Sequence, residues 1–228
     1  MMRRWLSCAL LIASAAGCGD SGEGLGGRPN SGLIGGSGTA RPECGALAQG
    51  CMGQGLDAPI ALGSTLEIAL DYQIGGSSGP PTEIESANPL VLKSEGKGRV
   101  TATGEGISAL MFAAPDGAVI DFLHVWVAAP DELRVVRYGD EGNLLGRVQD
   151  EVKLLVGDEL LVAVETYGKG QALLGNFLLE YEVTGADVAV VPDAVDGLYR
   201  VVARTAGAST ITFKALGLNR AIAIEVLP

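Results

Sequence analysis

A chain of 228 residues with 34 glycines, 47% hydrophobic and only 5% aromatic residues suits many short strands joined by tight turns, and argues against one large enzyme domain or a helical bundle. Its formal charge of −11 argues against nucleic acid as a partner, because phosphates need a basic surface. With an export leader and a tether set aside, the remaining length accommodates two small domains with separate cores.

The chain opens on Arg3 and Arg4, followed by an apolar run from Trp5 to Ala16 that is too short to span a bilayer as a mature helix. This is the pattern of an export signal, residues 1–17. Removing it takes away two positive charges, leaving 14 basic against 27 acidic residues, a net charge of −13. Ala15-Ala16-Gly17-Cys18 resembles the lipobox of bacterial lipoproteins, with Ala15 where leucine is usual. The resemblance implies that Cys18 is acylated and becomes the mature N-terminus, placing the protein in the cell envelope, with the outer membrane favoured.

Residues 18–43 read as a glycine-rich tether, since nine of the 25 residues from Gly19 to Glu43 are glycine and few are apolar. Such a segment buries too little surface to offset its ordering entropy, and as a coil it would span roughly 25–30 Å. Residues 44–56 read as a small disulfide segment. Once Cys8 leaves with the leader and Cys18 is acylated, Cys44 and Cys51 remain as a pair in an oxidising compartment. Closing that eight-residue loop would contribute about 2.5 kcal/mol in the chain-entropy model.

Strand patterning begins at Asp57. Leu62, Leu66, Ile68, Leu70 and Tyr72 share one parity and Thr65, Glu67 and Asp71 the other, the alternation of a half-buried strand. Phe177 to Val183 and Thr210 to Ala215 alternate in the same way. Val100 to Ala114 aligns without gaps to Val201 to Ala215, with six identities in 15 positions: Val100, Ala102, Gly106, Ser108, Phe112 and Ala114 meet Val201, Ala203, Gly207, Ser209, Phe213 and Ala215. The openings Leu62 to Leu66 and Val156 to Leu160 correspond as well, and each copy closes on a proline, Pro130 or Pro228. This duplication predicts an all-β chain of two tandem sandwiches, 57–129 and 131–228.

The glycine-x-x-leucine opening, Asn88-Pro89 at a turn, the Val-x-Ala step, a glycine turn and a closing strand of alternating valines resemble the group 2 bacterial immunoglobulin-like domains. The resemblance covers residues 57–129 and 150–228 and leaves 131–149 as an extra segment. It implies β-sandwiches of the kind found in surface adhesins, envelope spacers and accessory modules, with no catalytic residues to carry over.

Motifs that mimic chemistry favour structural readings. Gly75 to Gly79 matches G-x-S-x-G around Ser77, the basis of an alternative envelope hydrolase, but Pro80-Pro81 follows where that motif needs a helix. Gly22 to Gly27 and Gly104 to Ala109 match dinucleotide fingerprints without a strand-helix-strand setting. His124, the only histidine, has no evident acid-base partner, and Asp187, Asp193 and Asp196 fit no calcium loop. No cofactor or metal is implied, and the chain reads as non-catalytic.

The most informative strand closes the first copy. Aligned to the last strand of the second copy, Leu123, Val125 and Val127 take the inward positions of Ile222, Ile224 and Val226. Ile120, Phe122, His124 and Trp126 are then expected to face outward, where the second copy has Arg220, Ala221, Ala223 and Glu225. An apolar outward stripe is either covered within the chain, by the second domain or the Cys44 to Leu56 segment, or is a contact surface for an envelope protein, surface protein or glycan.

Overall fold

The computed structural model describes residues 37–43, 56, 58–74, 77–79, 81–139 and 141–228, with backbone only at 37–43 and 71–74. Cys18, Cys44 and Cys51 lie outside the described residues, as does the whole leader.

The first unit contains β1 (Ser37–Glu43), β2 (Ile60–Ala61), β3 (Thr65–Ile74), β4 (Ser77–Ser78), β5 (Glu83–Ser86), β6 (Leu92–Gly96), β7 (Arg99–Ala102), β8 (Gly106–Ala113) and β9 (Val119–Ala128). The second contains β10 (Glu132–Tyr138), β11 (Leu144–Arg147), β12 (Glu151–Leu155), β13 (Glu159–Gly168), β14 (Gln171–Ala172), β15 (Glu180–Thr184), β16 (Val188–Pro192), β17 (Tyr199–Ala203), β18 (Gly207–Ala215) and β19 (Leu218–Leu227). Two sheets form each unit: β1-β3-β7-β6 with β4 faces β2-β9-β8-β5, and β11-β10-β13-β17-β16 with β14 faces β12-β19-β18-β15. The chain is all-β, two immunoglobulin-like sandwiches in tandem.

Alternation along the strands builds one main core per unit, and the second unit adds a smaller cluster of Val136, Tyr138, Leu161, Ala163 and Leu198. Leu66, Leu92, Val100, Leu110, Phe112 and Val125 fill the first, and Val135, Leu160, Val201, Ile211, Phe213 and Ile224 the second. The repeated serine fastens the same turn in both copies. Ser108 Oγ accepts from Asn88 N at 3.1 Å, and Ser209 Oγ accepts from Asp187 N at 3.2 Å.

Register extends the duplication beyond what sequence alignment shows. β1 runs antiparallel to β3 from Ser37 opposite Gln73 to Glu43 opposite Glu67, and β10 runs against β13 from Glu132 opposite Tyr167 to Tyr138 opposite Leu161. These are equivalent first strands. Two expectations are thereby corrected. The stretch read as tether to Glu43 supplies a strand from Ser37, because an unpaired edge of β3 offers backbone partners to a segment with little apolar surface of its own. Pro42, which cannot donate, is tolerated because β1 is an edge strand. The segment 131–149, outside the family resemblance, supplies β10 and β11, with Leu133 and Val135 buried.

The two sandwiches lock together. The chain between β14 and β15 reaches back to the first unit, where Leu174 is 3% exposed and joins the first core. Leu174 N donates to Pro59 O at 2.8 Å, Ala61 N donates to Leu174 O at 2.8 Å, and Thr65 pairs with Asn176 in both directions at 2.9 and 2.6 Å. Gly175 has φ +122° and lies so near Ser64 that a Cβ would come 2.0 Å from its Oγ. Nearby, Leu216 adopts φ 48°, rare for a bulky residue. Its Cδ2 lies where a Cβ on Gly63 would come within 3.3 Å.

Candidate contact face on the first sandwich

β8 and β9 pair with their odd and even residues on opposite faces of the sheet, so each cross-strand pair belongs to one face. Inward lie Leu110 opposite Leu123 and Ser108 opposite Val125. Outward lie Met111 opposite Phe122, Ala109 opposite His124, and Ile107 opposite Trp126. Phe122 and Ile107 are each 54% exposed. His124 is exposed, while Trp126, Ala109 and Met111 are half-buried by their neighbours. The Phe122 and His124 rings meet edge to face, with centroids 5.4 Å apart.

Ile120 does not join this face. It is 5% exposed, because the ladder shifts register between Phe112 and Ala113: Phe112 pairs with Asp121 and Ala113 with Val119, leaving Ile120 as the bulged residue. The expectation that Ile120 points outward is corrected on that ground. Alternation also carries Asp121 inward beside Phe112, where it is 4% exposed. Burial raises its carboxyl above the ordinary range, although the Phe122 N–H that it accepts at 2.7 Å opposes the shift.

Ile107 and Met111 escaped the sequence reading, which followed β9 alone. The signal was present in the repeat, since Ile107, Ala109 and Met111 take the places of Ala208, Thr210 and Thr212. Of the two expected covers, the Cys44 to Leu56 segment lies outside the described residues except for Leu56. The second sandwich meets the β2–β3 turn, and Leu56, at the end of the disulfide segment, is 1% exposed within the first core.

The second copy provides a control built into the chain. Its corresponding outward pairs are Thr212 with Ala221, Thr210 with Ala223, and Ala208 with Glu225. Two ion pairs lie within the sheet, Lys214 reaching Glu182 at 3.0 Å and Lys153 reaching Glu225 at 2.8 Å. In the first copy Ala113 stands where Lys214 stands, and Trp126 where Glu225 stands.

The remaining residues weighed for chemistry are occupied or isolated. Ser77 is exposed in the two-residue β4, with no helix following it among the described residues. Asp193 accepts from Arg200, whose hydrogen bond and charge hold its carboxyl below the usual range, and Asp187 accepts from Thr205 Oγ1 at 3.1 Å. Asp196 is exposed in the turn between β16 and β17. Among the described residues no group of three histidine, cysteine, aspartate or glutamate side chains could hold a metal. No helix among them is long and apolar enough to cross a membrane.

No protein-family model matches the chain, and no curated protein matches it. Among solved structures, domains 4 and 5 of the S-layer protein SbsC are 20% identical over 64% of this chain and 75% of that one, with a TM-score of 0.29. Invasin, described as a bacterial integrin-binding protein, is 18% identical over 75% of this chain and 38% of its own, with a TM-score of 0.33. The Escherichia coli adhesin FdeC is 15% identical over 75% of this chain and 60% of its own, also at 0.33. The chain spans less than two thirds of the last two.

Proposed function

We propose that this is a non-catalytic envelope protein, lipid-anchored through Cys18, whose coupled sandwiches present the outward face of β8 and β9 to an envelope or surface partner. One observation carries the reading: the same sheet face is apolar and exposed in the first copy, and polar with two internal ion pairs in the second. Duplicated folds share most inward residues by necessity of packing, so a difference on the outward face is free to serve contact.

A photo-crosslinking side chain at position 122, with position 221 as the matched control, tests this in the living envelope. An adduct with another macromolecule at 122 and none at 221 is expected. Equal adducts at both positions, or none at either, would contradict the contact role. The anchor is tested separately: Cys18→Ser should abolish incorporation of labelled fatty acid, and undiminished labelling would remove the anchor from the account.

A further inference from the structure

Resting on that reading, the chemistry of the rim identifies the partner. Glu85 lies across the strand from Met111, and Glu83 from Ala113, both carboxylates exposed on β5. Glu105 and Asp116 are exposed in the turns that lead into and out of β8. No lysine or arginine occurs on β2, β5, β8 or β9. By register Glu85 corresponds to Glu182, whose ammonium partner is Lys214, and Ala113 replaces that lysine. Neither Glu83 nor Glu85 takes part in an ion pair among the described residues.

We infer that the face formed by Ile107, Met111, Phe122 and Trp126 docks a basic partner, a polypeptide whose apolar side chains cover these four while its lysines or arginines meet Glu83 and Glu85. The partner supplies in trans the cations that the second sandwich carries in its own sheet. Charge complementarity of this kind sets the orientation of an interface and raises its association rate. A second copy of this chain is the poorer occupant, since the same four strands hold no cation to offer these carboxylates. An anionic lipid surface would be repelled by them.

The full chain with Trp5→Phe leaves Trp126 as its sole tryptophan, within the face opposite Ile107. Three synthetic peptides serve as probes: alternating lysine and leucine, alternating glutamate and leucine, and alternating lysine and serine. The lysine-leucine peptide is expected to shift Trp126 emission to the blue with one-to-one saturation, and the other two to bind at least tenfold more weakly. Ile107→Ser with Phe122→Ser should weaken binding at least tenfold. Glu83→Gln with Glu85→Gln should weaken it several-fold and flatten its dependence on salt.

Binding unchanged by both pairs of substitutions would mean general attraction to an acidic chain and would overturn the proposal. Preference for the glutamate-leucine peptide, for anionic vesicles or for self-association would also overturn the basic partner, while keeping the contact face. Emission that is already blue and indifferent to every probe would show the face covered within the chain, overturning the partner and the contact reading together.

Discussion

Asp121 and Arg220 occupy one place in the two copies, each opposite the core phenylalanine of its sandwich, Phe112 or Phe213. Arg220 is answered by Asp150, although its Nε is buried without a partner. Asp121 Oδ2 is likewise buried and unpartnered. A carboxyl raised by burial binds its proton more tightly in the folded chain than in the unfolded one. Stability therefore falls as pH rises from below about 4 through the raised value. Asp121→Asn is expected to stabilise the chain by about 1 kcal/mol at pH 7, with the gain shrinking toward pH 4. Urea unfolding of both proteins across that range checks it; a gain that grows toward acid pH would reverse the assignment. Alternation predicts the inward direction of Asp121, but a bulge has no apolar signature, and so Ile120 was misplaced by sequence while Phe122, three residues before Val125, was not.

At the scale of elements, the docking of Leu174 makes the first sandwich depend on a segment of the second. Leu174→Ala removes a side chain from the first core and is expected to destabilise that sandwich by about 2–4 kcal/mol, although residue 174 lies between strands of the other. Gly175→Ala should act through the same joint, since its Cβ would meet Ser64 Oγ and its φ would be strained. Hydrogen exchange resolved by residue checks both: β3 and β9 amides should lose protection, and loss confined to β13 and β15 would show that the joint carries no stability for the first unit. Strands with an apolar period, β3, β15 and β18, were legible in sequence, and β8 through the repeat. β1 was not, because Ser37–Glu43 offers no alternating apolar face and is held by backbone pairing to β3. The joint was illegible for a related reason: Leu174 in a short connection carries no periodic signal, and only the fold brings it to Pro59 and Ala61.

For the whole molecule, the two sandwiches are joined by the short connection 129–131 and by the backbone bonds of Leu174 and Asn176 to Pro59, Ala61 and Thr65. On the proposed anchor, residues 19–36 would lie between Cys18 and β1. Shortening the tether was a consequence of structure, since composition alone extends it to Glu43. The difference between the outward faces of the two copies was visible in the repeat only when β8 and β9 were read together. The most direct measurement is the mass, by light scattering, of the protein solubilised from its native envelope, compared with that of the Ile107→Ser, Phe122→Ser double variant. The account predicts a species heavier than one chain that collapses to one chain in the double variant, with unfolding of the isolated proteins unchanged. Equal masses for the two proteins would contradict it.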